Sequence, residues 1–209
     1  MKPIALLKAA AFAAALIPAA ALAYRFYRFF YTQDFTAFPA NPGDYITDQT
    51  GTWALAMLVV TLTITPLRRL TKWNELVKLR RMLGLFSFFY ATLHMLTWVV
   101  FVNFFDVQAM IADVVKRPYI TVGMATFLIL LALAATSNRY ATRRLGRRWQ
   151  KLHRLVYAAA IGGVIHFWWQ VKADITLPRR WAVAVAILLG FRIWWIWRTK
   201  TPVRRPPPA

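Results

Sequence analysis

The sequence predicts an all-α fold, a multi-pass membrane helical bundle of about six transmembrane helices with both termini cytoplasmic. Three observations predict it. Hydrophobic residues make up 59% of the 209 residues and charged residues only 16%, too apolar for an ordinary soluble domain. The apolar residues fall into six runs close to the roughly 20 residues, at about 1.5 Å each, that cross a hydrocarbon core of about 30 Å. Lys and Arg concentrate in alternate connections between those runs, as cytoplasmic loops do.

The runs lie at about 4–23, 50–67, 83–105, 118–137, 153–171 and 181–197. The first, with Lys2, Lys8, an alanine-rich stretch and then Ala21-Leu22-Ala23, fits a retained span or a secretory signal peptide with an A-x-A cleavage site. Retention is the reading adopted, and either way residue 24 emerges outside. With the first residue inside, 20 of the 27 Lys and Arg fall on the inner side, including Arg80, Arg81, Arg139, Arg143, Arg154 and Arg192. Seven fall outside, and of the seven acidic residues only Glu75 is inside. That asymmetry sets the orientation.

Trp98, Trp168, Trp169, Trp181, Trp194, Trp195 and Trp197 lie near run ends, where amphipathic rings form interfacial belts. Gly84, Gly123 and the Gly162-Gly163 pair permit close helix contact or leave room for a flat ligand. The residues after the last run, 198–209, end in Pro206-Pro207-Pro208 and predict a disordered cytoplasmic tail. The whole chain, 1–209, reads as a single transmembrane domain.

The formal charge of +20 belongs to loops between apolar runs and not to one continuous basic stripe, so no nucleic-acid partner is expected. Cysteine is absent, which excludes disulfides, Fe–S clusters and covalent CxxCH haem attachment. No GxGxxG or Walker-type loop precedes a helix, so no nucleotide module is expected. No catalytic group stands out, and electrons, if handled, come from a lipid-soluble carrier or another protein.

Three histidines remain: His94, His153 and His166. Polar metal-binding side chains inside a membrane helix are costly and point by default to function, although a single one also serves as an interhelical hydrogen bond. Depth separates them. His94 lies 13 residues past Arg81 and His166 lies 15 past Lys151, about 20 and 22 Å along helices rising from the same side. They are depth-matched, displaced toward the outer face, and suited to hold haem iron between them. His153 lies near the cytoplasmic face with only Arg81 and Met82 at its depth on the third run. It reads as a ligand of a second, inner haem without an identified partner, a quinone or propionate contact, or a plain interfacial histidine. His153 and His166 would point about 140° apart on an ideal helix unless the Gly162-Gly163 pair distorts it.

The stretches Thr61–Arg68, Arg80–Leu85, Ala91–His94, Arg117–Gly123 and Leu145–Tyr157 resemble those of the MsrQ (formerly YedZ) family. These are haem-binding membrane subunits of the bacterial periplasmic methionine sulfoxide reductase system, with a ferric-reductase-like transmembrane domain. The resemblance runs from about residue 50 to about residue 170 and is most specific around Trp149–Tyr157. It implies one or two b-type haems with His94, His153 and His166 as the family's histidines. It also implies electrons from the quinone pool, FMN as a further cofactor, and location in the bacterial inner membrane. The implied partner is MsrP, a periplasmic molybdopterin subunit that repairs oxidised periplasmic proteins, held as a heterodimer. Eukaryotic ferric reductases and NADPH oxidases are similar but carry two histidines on each of two helices and a cytosolic flavin–nicotinamide module. One histidine on the third run and the missing module argue against direct NAD(P)H oxidation. The connections Asp106–Arg117 and Lys172–Arg180 are the expected docking surface. Competing readings are a small transporter, which the scarcity of polar residues in 83–105 and 118–137 disfavours, and a haem-free structural anchor.

Overall fold

The computed structural model describes residues 3–171 and 173–200, and among these all regular structure is helical. Helix α1 spans Pro3–Tyr31, α2 Pro42–Thr71, α3 Arg80–Thr97, α4 Val107–Lys116 and α5 Pro118–Ala135. Then follow α6 (Arg139–Leu145), α7 (Arg147–His153), α8 (Leu155–Gln170) and α9 (Thr176–Lys200). Among the described residues five helical segments are long and apolar enough to cross a membrane: Ile4–Tyr31, Pro42–Thr71, Asn74–Val102, Pro118–Ala135 and Thr176–Thr199. The protein is therefore a membrane protein. The run expected as the fifth span, 153–171, corresponds largely to α8, whose 16 residues fall short of that length.

Local chemistry explains the boundaries. Asn41 caps α2, its side chain accepting from the Asp44 amide, and Pro42 occupies the first turn, where its missing N–H is harmless. This cap starts α2 well before residue 50. The helix ends at Lys72, which is left-handed at φ 58°. Helix α3 runs on into a π-helical turn, Trp98–Val102. Asp106, expected within a loop, instead caps α4 by accepting from the Ala109 amide at 3.0 Å, and Asn138 caps α6 in the same way. Their short polar side chains satisfy amides that would otherwise have no partner.

The expected 153–171 helix is broken, but not at Gly162-Gly163, which sit in regular helix. The break falls at Arg154, where the amide of Arg154 bonds to Lys151 and that of Tyr157 to Arg154, both three residues back. His153 thus ends α7 and His166 lies on α8. Of the expected tail, 198–200 belong to α9, and 201–209 lie outside the described residues.

The core is built from two antiparallel couples, α2 with α3 and α5 with α8, with α9 laid across α2 and α8. Leu55, Leu58, Leu62, Leu130, Ala159 and Ala160 fill the space between the couples. Since lipid is as apolar as leucine, close packing and interhelical hydrogen bonds hold such a bundle, each bond worth about 0.6 kcal/mol on average. Ser87 on α3, fully buried, donates to the Ala54 carbonyl on α2. Tyr90 inserts its hydroxyl into the ladder of α1, donating to the Ala15 carbonyl and accepting from the Ala19 amide. Arg192, counted above among the inner-side basic residues, lies within α9. Its guanidinium donates to the Tyr157 hydroxyl and the Leu62 carbonyl, joining α9, α8 and α2, which lets a charge sit inside the bundle.

Candidate functional site

His94 on α3 and His166 on α8 face one another across a cavity of about 430 Å³ enclosed by α2, α3, α5 and α8. Their ring centroids are 5.9 Å apart and their planes 79° from parallel. The equal depth inferred from the sequence corresponds to direct opposition in space.

Each ring is held in the same way. His94 Nδ1 lies 3.0 Å from the Thr47 carbonyl of α2, and His166 Nδ1 lies 2.7 Å from the Tyr119 carbonyl of α5. A carbonyl only accepts, so Nδ1–H is the donor in both and Nε2 keeps its lone pair. Among the described residues neither Nε2 has a hydrogen-bond partner. A backbone carbonyl that fixes the tautomer and ring orientation is the usual support of a metal-binding histidine.

A glycine one turn beyond each carbonyl makes this approach possible. A Cβ on Gly51 would stand 3.0 Å from His94 Nδ1, and one on Gly123 only 2.6 Å from His166 Nδ1. Gly51 and the two carbonyls were not singled out from the sequence. A signal was present: each histidine follows its carbonyl residue by 47 positions, and each carbonyl residue precedes its glycine by one helical turn. Gly162 serves a different purpose, admitting Thr126 of α5 against α8.

The cavity is two-sided. Leu55, Leu58, Phe127 and Leu130 line its inner part, and Asp44, Asp48, Arg117 and Gln170 its outer part.

His153 stands apart. It lines a second cavity of about 690 Å³ at the end of the bundle expected to face inward, with Arg80, Arg81, Arg139, Arg143 and Arg154. Among the described residues no carboxylate lines it. His153 Nδ1 donates to the Trp149 carbonyl at 3.2 Å and the Trp149 ring stacks on the imidazole at 3.9 Å. Its Nε2 meets Ser137 Oγ at 3.4 Å, a weak contact because that hydroxyl also bonds the Leu133 carbonyl at 2.7 Å. No second histidine lines this cavity.

Residues 50–164 match the ferric reductase like transmembrane component family. A protein-methionine-sulfoxide reductase heme-binding subunit MsrQ from Ralstonia nicotianae is 51% identical over 76% of this chain and 75% of its own. The MsrQ of Herminiimonas arsenicoxydans is 49% identical over 94% of this chain and 88% of its own. That of Bordetella pertussis is 47% identical over 88% of each. The chain belongs to the MsrQ family.

The residues of the outer cavity fit a haem. An imidazole nitrogen binds a first-row metal at roughly 2 Å, so two rings on opposite faces of one iron have centroids about 6 Å apart. The 5.9 Å separation, the free Nε2 atoms and the apolar inner wall meet that need. The inner cavity offers one imidazole and five guanidinium groups, a donor set for one axial bond and for anionic groups.

Proposed function

We propose that this chain is the haem-bearing, electron-transferring subunit of a protein-methionine-sulfoxide reductase system in the bacterial inner membrane. The observation that carries the proposal is the facing pair His94 and His166, each with Nδ1 tied to a backbone carbonyl and Nε2 open. Six spans with both termini cytoplasmic, α7–α8 forming the fifth, agree with the distribution of Lys and Arg.

Bound between these rings, a b-type haem supplies one-electron exchange between its ferric and ferrous states. His94 and His166 would hold the iron through their Nε2 atoms, and with both rings so engaged the group would serve electron transfer in preference to oxygen chemistry. Thr47 and Tyr119 keep the two imidazoles in the Nδ1–H form, and Gly51 and Gly123 give them room. Leu55, Leu58, Phe127 and Leu130 exclude water from the inner side of the site.

Electrons enter on the cytoplasmic side from the quinone pool, with FMN as a further cofactor suggested by the family. The arginine-lined inner cavity is the candidate entry, where His153 would contact quinone or flavin or help to hold a second haem. They leave on the periplasmic side to an MsrP-like molybdopterin subunit, whose cofactor reduces the sulfoxide.

The visible spectrum of the purified protein tests the reading. Wild type gives a low-spin b-haem Soret band, and both His94→Ala and His166→Ala lose it. A haem-free wild type refutes the proposal. Reduction of the haem by a quinol analogue tests the donor, and no reduction in the wild type rejects the quinone pool.

A further inference from the structure

The connection after α3 has features that its role as a link does not require. Past the π-helical turn, Phe104 and Phe105 are both left-handed, with φ of 48° and 63°. Bulky residues avoid this region, and two in succession store strain that the surroundings must hold. They are held. The Asn103 amide and side chain both donate to the Trp98 carbonyl, and the Phe105 amide donates to Val99. The strained turn projects both rings outward, 78% and 67% exposed.

Helix α4 follows at once and continues that surface. Val107, Ile111 and Val115, spaced four apart, are all more than 60% exposed and share one face. The opposite side packs back on α5, to which the Asp113–Arg117 pair and the Thr121 hydroxyl bound to the Val114 carbonyl fix it. At the other end Phe101 and Val102, the last residues of a candidate span, are exposed as well.

We infer that Phe104, Phe105 and the Val107–Ile111–Val115 face lie in the outer leaflet of the bilayer, among glycerol and upper acyl groups. The inference rests on α3 and α5 crossing the membrane and does not depend on which cofactor is bound. Helix α4 joins their outer ends, so it is confined to the membrane boundary, and an apolar face of this kind partitions there. Lipid is the occupant favoured over protein because the face follows directly, across the turn at Asn103–Asp106, on the exposed end of a spanning helix. The chain then has a fixed float that begins ten residues beyond His94, which holds the π-helical turn at a set depth. The docking surface for a periplasmic partner is left to the residues around Arg179 and Arg180.

The protein has no cysteine, so single spin labels can be placed cleanly in the full-length protein in phosphatidylglycerol–phosphatidylethanolamine liposomes. A label at Ile111→Cys or Val115→Cys is expected to show a several-fold higher ratio of oxygen to nickel-chelate accessibility than one at Gln33→Cys, an exposed loop position. Adding Phe104→Gly and Phe105→Gly, which remove the rings while keeping the left-handed turn accessible, is expected to lower the Ile111 ratio toward the Gln33 value. An Ile111 label as water-accessible as Gln33, or shielded only when the periplasmic reductase is added, overturns the inference and makes the face a protein interface.

Discussion

The two cavities are lined by similar helices and each contains histidine, yet they are built on opposite plans. In the outer cavity each imidazole is supplied by one helix and fixed by a carbonyl of another. His94 of α3 is held by α2, and His166 of α8 by α5. In the inner cavity His153 is fixed by the Trp149 carbonyl and ring of its own helix α7, and its neighbours are arginines. The first plan positions two ligands against each other before any ligand arrives. The second offers a cationic chamber with one imidazole at its wall. A site that must hold a metal between two fixed nitrogens needs the first, and a site that admits an anionic or exchangeable molecule can use the second.

The most severe way to break this contrast is to fill the space that Gly123 leaves. Gly123→Leu puts a branched side chain where even a Cβ stands 2.6 Å from His166 Nδ1, and we expect complete loss of haem with the protein still in the membrane. Unchanged occupancy, measured as the ratio of Soret to protein absorbance, rejects the role given to the glycine. Gly51→Ala is milder because its Cβ meets His94 at 3.0 Å. Its haem occupancy should be intermediate, and lower occupancy than in Gly123→Ala reverses the ranking the geometry requires. His153→Ala should leave the outer pair's spectrum in place while slowing reduction by quinol. If it removes all haem, the two cavities are not independent. The smallest effect expected is that of Tyr90→Phe. Loss of the bonds to Ala15 and Ala19 of α1 should cost about 1 kcal/mol of stability, seen as a modest fall in Tm with an unaltered spectrum.

Much of this could be read from the residues. Apolar runs marked the membrane helices because a bilayer forces backbone bonding inside each segment, and the same rise per residue made His94 and His166 depth-matched. What could not be read was lateral. Counting along helices does not say which neighbour faces which ring, so the carbonyls of Thr47 and Tyr119 and the gap at Gly51 emerged only with helix pairing. Asp106 and Asn138 were legible as caps, but inside hydrophilic connections they passed for loop. The break at Arg154 had no proline or glycine to announce it, because it arises where two helices join through three-residue bonds. Arg192 counted only as an inner-side charge, since a lone arginine eight residues from the end of α9 shows its partners Tyr157 and Leu62 only after α9 packs against α8 and α2.

The central claim is that one haem lies between His94 and His166 with their rings crossed. Low-temperature EPR of the ferric His153→Ala protein tests it most directly, because His153 can then contribute no ligand. Imidazole planes 79° apart should give a strongly anisotropic low-spin signal, lost when either His94 or His166 is also replaced. A high-spin signal, or a low-spin signal that survives loss of one of those two histidines, contradicts it.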